Sequence, residues 1–404
     1  MKVAIASRIF MPEPAAASFR LAALAQALHD TGHDVEVLTV TPPAGMSVAN
    51  PPYMIRRSPV IRDSNDYVRG YIPYLSFDIP LFFRLLRRRY DVVVIEPPPT
   101  TGFVGRLANA LKRTPYVYYA ADVWADAATQ TEAPTIVTGI VRAIEKFAWN
   151  GAAAILSVSE GVESRLTDLG VRSQVVTVGN GVAADDLARG LPDPSESGES
   201  FQPHHAEFVY AGTASEWHGA DIFVEALAQI VPDIPDARIR FIGGGSQHEI
   251  IREKAKKHGI EDHISIEPVL PPDQLAPILY TSTAALASVL PGVGYDFAFP
   301  TKLYSAAVCG APLVYAGIGP GREFVNTQVS GLQPLRLGTA ADYDVADVAQ
   351  ALWKTIEEPR DTSERNAVSQ WARDNVSLNA VARRAVTVIE DAASAKSKPR
   401  SSTT

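Results

Sequence analysis

Cysteine is almost missing from this chain, which holds one, Cys309, in 404 residues. A single thiol excludes an internal disulfide framework and any multi-cysteine metal site. The apolar run around it, SAAVCGAPLV, points to packing rather than reactivity. Long hydrophobic runs are missing too. No window reaches the roughly 18 uncharged apolar residues of a membrane span. The opening MKVAIASRIF has too short an apolar stretch for a secretory leader and reads as a first strand, so a cytoplasmic protein is expected. Positive charge is in short supply: 37 Lys+Arg face 45 Asp+Glu, a net of −8. That balance argues against a general nucleic-acid binder, which carries a basic face. The deficit is uneven. Residues 1–190 hold 19 Lys+Arg against 18 Asp+Glu, leaving 18 against 27 for the remainder, so two units with different partners are expected. DSNDY (63–67) has poor spacing and context for an Asp-x-Asp metal motif, and no metal requirement is expected.

What is present is an ordinary globular composition, 46% hydrophobic and 20% charged, over a length that suits about two or three domains. KVAIAS (2–7) reads as a strand, FRLAALAQALHDTG as a helix closed by Gly32, and DVEVLTV (34–40) as a second strand. Such a βαβ unit implies a right-handed parallel crossover. The alternation continues through DVVVIEP (91–97), a helix over 103–112, PYVYYA (115–120), a helix over 135–149, AAAILSVS (151–158) and QVVTVGN (174–180). Pro, Ser, Gly and Glu then crowd ARGLPDPSESGESFQPHHAE, and a linker is expected at 191–206. Alternation resumes at EFVYAG (207–212) and runs through RIRFIGGG (238–245), HISIEPV (263–269), AALASVL (284–290), a helix at 301–309 and APLVYAG (311–317). The expected fold class is α/β: two tandem Rossmann-like domains, 1–190 and 207–375, with an interdomain cleft at the carboxyl ends of their strands. A helical region over 362–392 follows, whose 376–392 part is expected to pack back on the first domain, and a polar tail, 393–404, is expected to be disordered.

One short stretch, FPTKLYSAAVCGAPLV (299–314), raises a chemical question. Pro300 and Thr301 start a helix and Gly310 with Pro312 stops it, so Lys302 lies in the first turn, where the helix dipole is already positive. Free N–H groups and an ammonium there suit a phosphate; the plain alternative is a surface lysine.

Four segments in order resemble the GT-B glycosyltransferases, specifically the retaining enzymes of glycosyltransferase family 4 and their bacterial surface-polysaccharide branch. They are FMPEPAAASFRLAALAQALHDTGHDVEVLT, AAAILSVSEGVESRLTDLG with VVTVGNGV, RFIGGGSQHEIIREKAKKHGIEDHISIEPVLPPDQLAPILY, and PTKLYSAAVCGAPLVYAGIGPG. The resemblance implies a nucleotide-sugar donor bound by the second domain and a saccharide or polyprenyl-linked acceptor bound by the first. Gly212, Thr213, His218, Gly243, Gly244, Val269, Asp296, Lys302, Leu303 and Ser305 are the donor-side residues it implies. Ser305 stands where the family usually carries a ribose-binding glutamate, and Phe297 where it carries a second acid, with Asp296 one residue away. Thr213 and His218 stand near the places of a diphosphate-binding arginine and lysine; His218 serves there only if protonated, and is otherwise a solvated loop histidine. The glycines let backbone N–H groups approach a phosphate or simply make turns.

In the first domain, PYVYYAADVW puts Ala121 at the family's histidine position and keeps Asp122, the implied catalytic residue, with Trp124. Glu13 and Arg20 join Trp124 on the implied acceptor side, against the alternative of surface or capping roles. EPPPTT (96–101) reads as a rigid rim rather than a chemical group. The family's chemistry needs no cofactor beyond its substrates, because the leaving phosphate takes the acceptor proton and the protein stabilises the departing charge. Segment 81–89, LFFRLLRRR, is either an amphipathic helix packed on the sheet or a peripheral contact with the inner face of a membrane. A nucleotide-sugar epimerase of the same fold and a non-catalytic glycan- or partner-binding protein remain the alternatives.

Overall fold

The computed structural model describes residues 1–48, 50–63, 66–68, 70–126, 134–192, 206–329 and 335–395. Most of the linker expected at 191–206, part of DSNDY and the tail from 396 lie outside the described residues.

The chain forms two compact units, Met1–Gly181 with the chain from Leu378 onward, and Val182–Ser377. The first holds a parallel sheet of β1 (Lys2–Ala6), β2 (Asp34–Val40), β3 (Met54–Ser58), β4 (Val92–Ile95), β5 (Tyr116–Ala120), β6 (Ala154–Ser157) and β7 (Val175–Thr177), in the order β3-β2-β1-β4-β5-β6-β7. The second holds β8 (Glu207–Ala211), β9 (Arg238–Ile242), β10 (Ile264–Glu267), β11 (Ala284–Ser288), β12 (Leu313–Ala316) and β13 (Gly338–Ala341), in the order β10-β9-β8-β11-β12-β13. Both are doubly wound α/β sheets. Their central strands are apolar without alternation because helices cover both faces. Strand β3, MIRRS, escaped the sequence reading because an edge strand is half exposed and carries no apolar run.

In each sheet one gap separates strands whose crossovers leave in opposite directions: β1 from β4, and β8 from β11. Loops splay apart at such a switch point and leave a crevice outside the carboxyl ends of the strands.

Two boundaries differ from the sequence reading. Residues 182–190, placed there with the first half, fold with the second unit: their short helix Ala184–Ala188 packs on the helix Pro272–Thr281. Gly190 comes so close that a Cβ on it would lie 2.1 Å from the Asp273 carbonyl oxygen. The long C-terminal helical region is two helices, Thr362–Val376 and Leu378–Ser394, interrupted at extended Ser377. The first packs on the helix Lys302–Val308 of the second unit. The second buries Val381, Ala385, Val386 and Ile389 in the core beside β1 and β4.

Candidate active site

At the carboxyl end of β8 a lysine is folded over a glycine. Gly212 follows the strand at φ +132, a conformation that L side chains rarely adopt. With no side chain there, Lys302 reaches across the strand end; its Cε lies 3.3 Å from where a Gly212 Cβ would stand. The Lys302 ammonium sits 3.7 Å from the centre of the Tyr210 ring, donates to the Tyr210 hydroxyl, and donates to the Thr213 carbonyl oxygen at 3.0 Å. All of these partners are neutral, and no carboxylate pairs with Lys302 among the described residues. Burial drives the amine's pKa well below the ordinary lysine value. A cation that is desolvated but unpaired gains from an incoming anion, which restores its charge.

The backbone shapes the same crevice. Gly243 is packed so tightly that a Cβ would meet the Gly212 carbonyl oxygen at 2.5 Å, and a Cβ on Gly245 would meet that of Ala214 at 2.1 Å. Between them Gly244 faces open space. The expectation that these glycines offer N–H groups is corrected for two: Gly212 donates to Ile242 O at 2.8 Å and Gly243 to Glu267 O at 3.0 Å. The expected anion site at the helix start is corrected as well. The helix Lys302–Val308 opens with a tight turn, in which the N–H groups of Leu303 and Tyr304 return to Pro300 O and Thr301 O at 3.0 Å each. Lys302 therefore remains as the positive group at this strand end, beside the uncrowded Gly244.

His218 is not a solvated loop residue. It is 5% exposed, its ring stacks on Trp217 at 3.6 Å, and its Nδ1 accepts the Ser215 N–H at 3.2 Å and lies 2.9 Å from Ser215 Oγ. Burial, helped by the charge of Lys302, pushes its pKa down to about 3, so it stays neutral and supplies no charge to a phosphate. Trp217 stacks in turn on Tyr295 at 5.0 Å, a pair the sequence reading missed. Asp296 accepts from the Gly292 N–H at 2.9 Å, and its own carbonyl lies 2.0 Å from where a Gly319 Cβ would stand. The side chain of Leu303, a donor-side residue by the resemblance, is buried in the core. Ser305 is half-buried, Thr213 is exposed and Val269 is 76% exposed.

The switch point of the first sheet carries a different chemistry. Arg20, 4% exposed, donates to Glu96 Oε1 at 2.8 Å and stacks its guanidinium 4.6 Å from the Tyr119 ring centre. Glu96 immediately follows β4, and its other oxygen, Arg20 Nε, Arg8 Nε and the Tyr119 hydroxyl have no partner among the described residues. Buried polar atoms left open cost stability unless a ligand or water completes them. Burial raises the Glu96 pKa, against the pull of Arg20. Asp122 stands nearby with its outer surface in solvent; partial desolvation raises its pKa, opposed by Arg20. Trp124 lies edge-on to Tyr74 at 6.2 Å, with the Arg8 guanidinium 4.9 Å from the Tyr74 ring. Buried Glu145 holds that loop by accepting from the N–H groups of Trp124 (2.8 Å) and Ala125 (3.0 Å). Burial lifts its pKa to about 7, although those two bonds pull the other way.

Comparison with known proteins fits two family models to the chain. Residues 16–181 match a glycosyl transferase 4-like domain, and residues 205–358 match glycosyl transferases group 1. The chain belongs to these glycosyltransferases. A D-inositol 3-phosphate glycosyltransferase of Segniliparus rotundus is 28% identical over 136 residues, 33% of this chain and 29% of that protein. Another of that description, from Frankia alni, is 26% identical over 195 residues, 46% and 45% of the two chains. Each match thus spans less than half of the curated relative's length. Sucrose-phosphate synthase of Thermosynechococcus elongatus has the same GT-B fold, with a TM-score of 0.70 at 14% identity over 98% of this chain and 99% of that one. Anabaena HepE, solved in complex with UDP, gives 0.64 at 15% identity over 97% and 100%.

Within this glycosyltransferase-family chain, the structure brings Gly212, Thr213 and Lys302 together at one switch point, and Arg20 and Asp122 at the other. It removes Glu13, whose two carboxylate oxygens are both taken by Arg62 at 3.0 Å. It adds Glu96, which corrects the reading of EPPPTT as a rim without chemistry. One signal had been available: a lone acid directly at the carboxyl end of a buried strand, in VVVIEP. Among the described residues no group of three or more His, Cys, Asp or Glu side chains is placed to hold a metal ion.

Proposed function

We propose that this chain transfers a glycosyl group, with retention, from a nucleotide-sugar donor to a saccharide or lipid-linked acceptor in surface polysaccharide or glycoconjugate synthesis, without a metal. One observation carries the reading. Lys302 is a desolvated ammonium at the switch point of the second sheet, bonded only to neutral oxygens, and a donor diphosphate supplies the charge it lacks. HepE, of the same fold, was solved with UDP and with UDP-glucose. In this reading the diphosphate lies against Lys302 and Gly244, Asp296 and Ser305 meet sugar or ribose hydroxyls, and the Arg20–Glu96–Asp122 cluster binds the hydroxyls of the acceptor. Asp122, with its raised pKa, assists removal of the acceptor's proton. If the acceptor is lipid-linked, the reaction occurs at a membrane surface, and segment 81–89 is the sequence's candidate for that contact.

A panel of nucleotide sugars tested by thermal shift identifies the donor, since a ligand that binds the folded state raises the melting temperature. Transfer to a saccharide with the donor's anomeric configuration kept supports the proposal. Inverted product refutes retention, interconversion of the donor without acceptor makes the protein an epimerase, and no shift with any nucleotide makes it a non-catalytic binder.

A further inference from the structure

Three helices of the first unit lie side by side: Tyr71–Arg87, Pro99–Lys112 and Thr135–Trp149, the middle one packed on both others. Each leaves a row of large apolar side chains in solvent. On the first these are Tyr71, Ile72, Leu75, Ile79 and Phe83, on the second Phe103, Leu107 and Leu111, and on the third Ile136 and Ile140. Ile72, Leu75, Ile79 and Phe83, then Phe103, Leu107 and Leu111, then Ile136 and Ile140 recur every three or four residues, so each row is one helical stripe, with Tyr71 beside the start of the first. Ile136 is 78% exposed and Tyr71 and Leu111 are each 69% exposed, far beyond incidental surface carbon. Packing of the sheet does not need these residues; Phe77, Leu81 and Leu85 already fill that side.

Exposed charge on the same helices has one sign. Their two acids, Asp78 and Glu145, are buried at 0% and 1% exposure. Arg87, which continues the Ile79–Phe83 stripe, lies at the margin with Arg89, Lys112, Arg113 and Lys146, and none of the five has an acidic partner among the described residues. In a chain of net charge −8, a face with no exposed acid on its helices and a rim of unpaired cations is specific. Segment 81–89 alone is too small for such a contact, because Leu81 and Leu85 are buried and Arg84 donates inward to Arg56 O at 2.6 Å.

We propose that this three-helix face docks on an anionic phospholipid bilayer: the apolar stripes enter the interfacial zone and the rim cations meet lipid phosphates. The inference is independent of the glycosyl-transfer reading, since lipid binding requires no donor.

The test is co-sedimentation of the full chain with vesicles of equal parts phosphatidylglycerol and phosphatidylcholine, compared with phosphatidylcholine alone. Retention is expected on the anionic vesicles and is expected to weaken with salt. Leu75→Glu with Leu107→Glu, both at exposed sites, is expected to lower the vesicle affinity about tenfold or more. Ile250→Glu, exposed on the second unit, is expected to leave it unchanged. No retention on anionic vesicles, or equal retention of the double variant, overturns the proposal. So does sedimentation velocity in which the wild type self-associates and the double variant does not, which would make the face a contact between copies.

Discussion

Lys302 decides most at the scale of single residues, because its environment and not its type makes it reactive toward anions. Replacing it with Met keeps the stem over Gly212 and removes the amine. A hydrogen bond to a charged group is worth about 1.5–3 kcal/mol, so nucleotide-sugar affinity should fall roughly 10- to 100-fold by titration calorimetry; unchanged affinity removes the phosphate assignment. Burial holds the free amine's pKa well below its ordinary value, and a bound diphosphate raises it again. Wild-type affinity should therefore decline as pH rises, with proton uptake on binding, while Lys302→Met shows no such decline. His218 gives a separate signature in stability. Its folded pKa is about 3 against 6.5, so the unfolded chain takes up the proton first on acidification. The stabilisation is complete above pH 6.5 and is lost as pH falls toward about 3, on the order of a few kcal/mol. Melting temperatures of wild type and His218→Phe across that window should diverge in slope; parallel curves would mean the imidazole is not buried neutral.

Among the elements, the helix Lys302–Val308 is positioned by the helix Thr362–Val376 rather than by its own start. Thr301 makes no side-chain cap, and the anchoring comes from the other end. Gly310 ends the helix at φ +72, and a Cβ there would meet the Arg365 carbonyl oxygen at 2.5 Å. Gly310→Ala should cost about 1–3 kcal/mol in urea unfolding; a change under ~0.5 kcal/mol would show that the two helices can part freely. Arg365 itself, 1% exposed, donates to Tyr280 O at 2.7 Å and Ser282 O at 2.9 Å, satisfying carbonyls at the end of the helix Pro272–Thr281. Arg365→Met keeps the bulk but strands those oxygens, at a cost of about 1–3 kcal/mol for each that stays dry. A stability equal to wild type would show that water reaches them.

For the whole molecule, the chain visits the first unit twice. Ending it after Ser377 would strip Val381, Val386 and Ile389, exposed by 1%, 4% and 0%, from the first unit's core. At about 1.5–3 kcal/mol for each large side chain, that loss is comparable to the whole stability of a domain. Calorimetry of the truncated chain should show the first unit unfolded or melting far lower; an unchanged profile would mean the helix Leu378–Ser394 is only an appendage.

The alternation of strands and helices, and with it the doubly wound class, was legible in the amino-acid string because it rests on local periodicity and each βαβ crossover has one hand; the order of the strands, with β3 at the edge, came from the structure. KVAIAS, DVVVIEP and EFVYAG announce buried parallel strands by composition alone, and the glycosyltransferase signatures lie within single segments. The string also marked Lys302 and Asp122 as unusual. It could not say that Lys302 folds onto a tyrosine ring 92 residues away, that Arg20 finds Glu96 across 76 residues, or that His218 is buried and uncharged. Charge state, pairing and exposure depend on neighbours distant in sequence, so only the packed chain determines them; the periodicity of a segment fixes which face is apolar, not what, if anything, covers it.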